Sequence, residues 1–140
     1  IGYWVSALSQ ADGLSAHYRG LLGAQDEAVL AAIDGALPTA VTTGPYGAFP
    51  AGPLSVEDED GLDWAPTAEL RAAVGDRLAA ALAHAHLLTF RPRDSSPDAL
   101  QSLLDAGWTT DGVVTVSQLI AFTHFQLRVV AGLTVLKETI

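Results

Sequence analysis

Apolar residues recur at helical spacing along most of the chain, and that spacing predicts an all-α domain. Ahead of Pro38 it predicts three short helices, Tyr3 to Gln10, Leu14 to Leu22 and Gln25 to Leu37, punctuated by Asp12-Gly13, Gly20, Gly23 and Pro38. In the third, Val29, Leu30, Ile33 and Leu37 form a stripe behind Asp26 and Glu27, whose charges suit a helix N-terminus. From Pro38 to Pro66 the periodicity stops. Gly44-Pro45, Gly47, Pro50 and Gly52-Pro53 break any regular element, and the run Glu57-Asp58-Glu59-Asp60 follows. A loop of that length is functional, packed onto a neighbour, or mobile, and the sequence leaves the three open.

Periodicity returns after Pro66. Thr67 can cap a long helix whose stripe is Leu70, Val74, Leu78, Ala81, Leu82 and Ala85, ending near Phe90 ahead of Arg91-Pro92. Ser96 caps the next helix, Pro97 occupies its first turn, Leu100, Leu103 and Leu104 form its apolar edge, and Gly107 supplies a left-handed terminus onto which Trp108 folds back. Thr109-Thr110-Asp111 opens a short helical turn that Gly112 weakens. The last helix then runs from about Ser117 to Lys137. It is apolar on nearly every side, which predicts a central, buried position. Gln118, His124, Gln126 and Arg128 interrupt it, so it lacks the roughly 18 clean residues of a membrane span. The expected architecture is one domain over 1–140, with short helices at 1–37, a long loop at 38–66 and a helical core at 67–140, about six helices in all.

The 140 residues are 49% hydrophobic and only 16% charged, which is rich for a monomer and predicts that an oligomer covers part of the surface. A formal charge of -9 would repel a phosphate backbone, and no Lys/Arg cluster makes a binding stripe, so no nucleic acid is expected as partner. Nothing ahead of the first helix reads as a signal peptide, so none is expected, and the absence of cysteine fits a reducing compartment, which makes the cytoplasm the expected location and a membrane an unexpected partner. The chain opens in mid-pattern at Ile1 and contains no methionine, so its natural N-terminus is expected upstream.

Three groups of residues could carry chemistry, and two further candidates read as structural. His84 and His86 stand two apart, roughly 200° around a helix, and therefore cannot share one metal ion while both are helical. Either one faces the core, satisfied by hydrogen bonding, and the other a surface or pocket, or one binds metal with a third ligand from elsewhere; no metal site is expected from the pair. His124 and Arg128 are four apart on one face, with the small residues Ala121, Ala131 and Gly132 leaving room beside them. There a neutral imidazole could serve as base and a guanidinium could clamp a carboxylate, or both could pair with acidic residues across helices or at a subunit interface. Arg91-Pro92-Arg93-Asp94 leads into the helix N-terminus at Ser96, where Arg91 and Arg93 could bind an anion or simply form an Arg-Asp salt bridge. The acidic run fails as a calcium loop, since aligning Gly61 puts Val56 and Thr67 at its terminal ligand positions, and it reads as solvated surface. His17 has no catalytic partner at a telling distance and reads as structural.

The segments Leu103-Leu104-Asp105-Ala106-Gly107-Trp108-Thr109-Thr110-Asp111-Gly112-Val113-Val114, Ser117-Gln118-Leu119-Ile120-Ala121-Phe122 and Arg128-Val129-Val130-Ala131-Gly132-Leu133 resemble the carboxymuconolactone decarboxylase superfamily, which includes the alkylhydroperoxidase D-like proteins. The resemblance implies an all-α bundle of the alkylhydroperoxidase D-like type that assembles into homo-oligomers through these helices. The peroxidase branch carries a Cys-x-x-Cys pair followed by a histidine, and by position that motif falls at Ala83-His84-Ala85-His86-Leu87-Leu88. Both cysteines are missing, so thiol peroxidase chemistry is excluded for this chain alone and no cofactor is expected. Two readings follow: a diverged site in which His84, His86, His124 and Arg128 handle a small acidic or lactone-like molecule by acid-base chemistry, or a non-catalytic structural or regulatory subunit of an antioxidant system.

Overall fold

The computed structural model describes residues 1–139, which form six α-helices: α1 (Gly2–Leu8), α2 (Asp12–Gly23), α3 (Glu27–Ala40), α4 (Ala68–Phe90), α5 (Pro97–Asp105) and α6 (Thr110–Thr139). Among them there is no strand; Gly47 and Glu59 alone pair as an isolated antiparallel bridge. The all-α expectation holds, and α1, α3 and α4 enclose the centre of the bundle.

Helix boundaries follow the capping chemistry. Asp26, Thr67 and Ser96 each accept a backbone N–H three residues on, from Val29, Leu70 and Ala99 at 3.0, 3.2 and 3.3 Å. Such caps contribute about 1 kcal/mol apiece. At the end of α5, Gly107 takes φ +92°, its N–H reaches the Leu104 carbonyl at 2.9 Å, and the Trp108 N–H reaches Leu103 at 3.1 Å. This is the paired closure that a left-handed glycine permits. The indole of Trp108 then leans on α4, with Nε1 donating to the Arg77 carbonyl at 2.8 Å and the Arg77 guanidinium over the ring.

Four expectations need correction. Proline 38 does not end α3, which runs to Ala40: in the last turn a missing N–H costs one hydrogen bond, and the fully buried Ala40 holds the turn against the core. The long helix is not one straight stripe, because Gly75 takes φ +79° and ψ 158° and kinks it. Gly112 does not separate a short turn from the last helix; it lies in the first turn of one continuous α6, where the Thr109 hydroxyl accepts its N–H at 3.1 Å. A side chain at Gly112 would strike Trp108, with 2.9 Å from its Cβ to the ring.

The largest correction concerns α6. It is not the central helix. Val113, Val116, Ile120 and Thr123 are buried along one stripe, but Phe122, Phe125 and Leu133 are 53, 59 and 60% exposed. Thr110–Lys137 is long and apolar enough to cross a membrane by length and composition, with 11% of its most apolar window buried. The centre is held instead by α1, whose Tyr3, Trp4, Val5 and Leu8 are closed from solvent. Trp4 packs on Trp64 at 5.0 Å between centroids and donates Nε1–H to the Leu82 carbonyl at 3.0 Å.

The predicted loop spans 41–67 and is packed rather than loose. Arg93 stacks on Phe49 and donates to the carbonyls of Glu57 and Gly47; Asp94 accepts the Ala48 N–H, and Asp58 that of Phe49. A short 3-10 turn, Pro53–Glu57, lies within it. Trp64 closes it onto the core.

Candidate functional site

The middle of α4 presents His84 and His86 to two different neighbours, as two residues along a helix require. His84 Nε2 meets the Ser117 hydroxyl of α6 at 3.0 Å, and His86 Nε2 donates to the Ala40 carbonyl of α3 at 3.0 Å. Both imidazoles are buried, and both border one cavity of about 420 Å³. Its other walls are α5, through Ala99, Ser102 and Leu103, the loop stretch Asp63–Trp64–Ala65–Pro66, and the Arg91/Asp94 pair. Trp64 and Phe90 flank His86, with centroids 5.4 and 4.9 Å away.

Electrostatics hold both rings neutral. Burial pushes His84 below its ordinary value of 6.5 with no charge to oppose it. His86 is likewise lowered by burial, which outweighs its bond to Ala40 and the nearby Asp63 carboxylate. Ser117 Oγ donates to the Val113 carbonyl at 2.8 Å, so it accepts from His84 Nε2–H. Nδ1 of His84 is then a lone-pair acceptor, and it is buried without a hydrogen-bond partner. The opposite tautomer would strand a buried N–H, the rarer and costlier orphan.

Arg91 joins this cavity, but not as a free cation. Its Nε donates to Asp94 at 2.6 Å, and Nη1 lies 3.9 Å from Asp63. Asp94 in turn is held below the usual carboxylate range by the Ala48 N–H first and then by Arg91. Arg93 lies away from the cavity and holds the loop. Arg71, at the rim, is 3.8 Å from Asp76.

His124 and Arg128 share a face of α6, as their spacing requires, but stand apart from the cavity around His84. The Thr89 hydroxyl donates to Ala85 at 2.7 Å and therefore accepts from His124 Nε2–H at 3.1 Å, which ties α6 to α4. Burial and then Arg128 lower the basicity of His124. Arg128 is exposed and turns back to the His124 carbonyl of its own helix at 3.3 Å. His17 is exposed and meets Tyr18 edge-on.

Sequence reasoning did not single out Ser117, Asp63, Trp64 or Arg71. A serine 33 residues from His84 carries no local signal of its partner. Trp64 did carry one: a large aromatic between the acidic run and Pro66 marks where that loop returns to the core. Among the described residues no group of three or more His, Cys, Asp or Glu side chains is placed to hold a metal ion. No protein-family model, curated protein or solved structure matches the chain.

Proposed function

We propose that this chain is a cysteine-less relative of the carboxymuconolactone decarboxylase and alkylhydroperoxidase D-like proteins whose diverged site binds a small organic molecule and acts on it by acid-base chemistry. The observation that carries the reading is the convergence of His84, His86 and Arg91 on one cavity large enough for a small ligand. His84 is the base: its imidazole is neutral, its tautomer is held by Ser117, and no carboxylate is bonded to it. The six-helix bundle and the resemblance over the α5–α6 region support the family assignment. An acid and a neutral lactone are the two ligand types that the resemblance implies.

A thermal-shift screen against small carboxylic acids, lactones with and without a hydroxyl group, and small neutral hydroxyl compounds tests this. At a hundredfold excess over Kd a ligand stabilises by about 2.7 kcal/mol, well within detection. The expected hit raises the melting temperature of the wild type and of His124→Ala, but not of His84→Ala or of Ala99→Phe, which fills the cavity from α5. A panel that moves none of the four proteins sinks the reading.

A second reading, a non-catalytic subunit of an antioxidant assembly, is favoured by the exposed apolar side of α6, which offers a surface for another subunit. Both readings include homo-oligomerisation through that helix. In neither does the chain perform thiol peroxidase chemistry, because it has no cysteine.

A further inference from the structure

Two features of the cavity bear on what it takes. The first is its hydrogen-bonding sense. His84 offers Nδ1 as an acceptor with no partner, closed to water in a residue that is only 4% exposed. Leaving a buried polar group unsatisfied is costly, and a group that donates to it recovers that cost. The second is charge. Arg91 is already held by Asp94 and Asp63, so the cations and carboxylates bordering the cavity, Arg71 and Arg91 against Asp63 and Asp94, balance to zero. The chain around them carries -9. A carboxylate entering there finds both bordering arginines already facing carboxylates, Arg71 at Asp76 and Arg91 at Asp63 and Asp94, and a repulsive field outside. Between these groups the lining includes the small apolar residues Ala80, Ala83 and Ala99, with Leu103 and Trp64.

We infer that the ligand is a neutral molecule with a compact apolar body and an O–H group, which donates its proton to His84 Nδ1 as the ring turns slightly toward it. This rests on the proposed small-molecule site and selects, between the two ligand types left open there, against the free acid. It also adds a requirement that a bare lactone, which has no donor, does not meet. Hydroxyl recognition gives the site its specificity, because an analogue lacking the donor leaves Nδ1 unpaired.

Phenol, benzoate and toluene, three probes of nearly one shape, separate the possibilities by titration calorimetry on the full chain near neutral pH, with the imidazole nitrogens of His84 followed by 15N NMR. Phenol is expected to bind at least about fivefold more tightly than either of the others, the scale of one net hydrogen bond. It should also shift the Nδ1 resonance of His84 while Nε2 stays protonated. Asp63→Asn, at the exposed rim, removes one negative charge and should narrow the gap between phenol and benzoate without abolishing phenol binding. Benzoate binding as tightly as phenol, with loss in His84→Gln, overturns the ligand class and leaves the site standing. Toluene equal to phenol, or an unmoved Nδ1 resonance, overturns the hydrogen bond. If none of the three binds at millimolar concentration, the small-molecule site falls with it.

Discussion

Trp4 sits in a helix of seven residues, too short to be stable alone, so α1 exists because its side chains are buried. Truncating Trp4 to Ala removes the ring that packs on Trp64 and the bond to the Leu82 carbonyl. The expected loss is about 3–5 kcal/mol, read as a lower urea midpoint at unchanged slope. The buried histidines make a different prediction. His84, His86 and His124 are all less basic in the folded chain than their ordinary value of 6.5. Above that value neither state holds the extra protons, and the contribution to stability is complete. As pH falls through it, the unfolded chain takes up protons that the folded chain refuses, so stability declines on acidification. Urea midpoints at about pH 7.5 and about pH 5.5 should differ in that direction. His84→Gln should shrink the difference, and an unchanged difference would mean that His84 is not held neutral by burial.

At the level of elements, what was legible in the sequence is what local chemistry decides. Thr67, Ser96 and Gly107 mark their helix ends because a hydroxyl accepting a backbone N–H, or a glycine at positive φ, acts within a few residues of itself. Ser96→Ala should cost about 1 kcal/mol. Gly107→Ala should cost a similar amount, about 1 kcal/mol, through the backbone alone, since a Cβ there meets nothing closer than Arg77 at 3.7 Å. Both are measurable as shifts in the denaturation midpoint. What was not legible depends on partners far along the chain. Pro38 reads as a stop, yet Ala40 is held by the core beyond it. Gly112 reads as a break, yet the tertiary position of Trp108 makes glycine the residue that fits. The all-round apolar pattern of α6 says that its surface avoids water, but not what covers it. The candidate site divides in the same way. His84, His86 and Arg91 were visible as residue types at telling spacing, whereas Ser117, Asp63 and Trp64 are joined to them only by folding. Of His124 and Arg128, the most suggestive pair in the sequence, His124 links α6 to α4 through Thr89, while Arg128 turns back to its own helix.

The whole molecule carries an apolar surface that its own fold does not use. Along α6, Phe122, Phe125, Val129, Leu133 and Leu136 recur at spacings of three, four and seven, on the side opposite the buried Val113, Val116 and Ile120. Two apolar stripes on one helix call for neighbours on both sides, and the spacing of the outer one suits a second helix laid along it. The excess negative charge is little represented there: the acidic residues of α6 are Asp111 in its first turn and Glu138 in its last, and Arg128 and Lys137 are its cations. A second copy of the chain can therefore approach α6 against α6 without bringing many carboxylates together. The expected outcome is a dimer or larger assembly by light scattering at micromolar concentration. Phe125→Asp together with Leu133→Asp should convert it to a monomer of unchanged helical content, because neither side chain reaches the core. The same stripe could lie in a lipid bilayer, and the measurement separates the two. A wild type that runs as a monomer and floats with neutral lipid vesicles, and a double variant that does not float, would assign α6 to a membrane. Vesicle-independent assembly that the two aspartates abolish would assign it to the subunit contact.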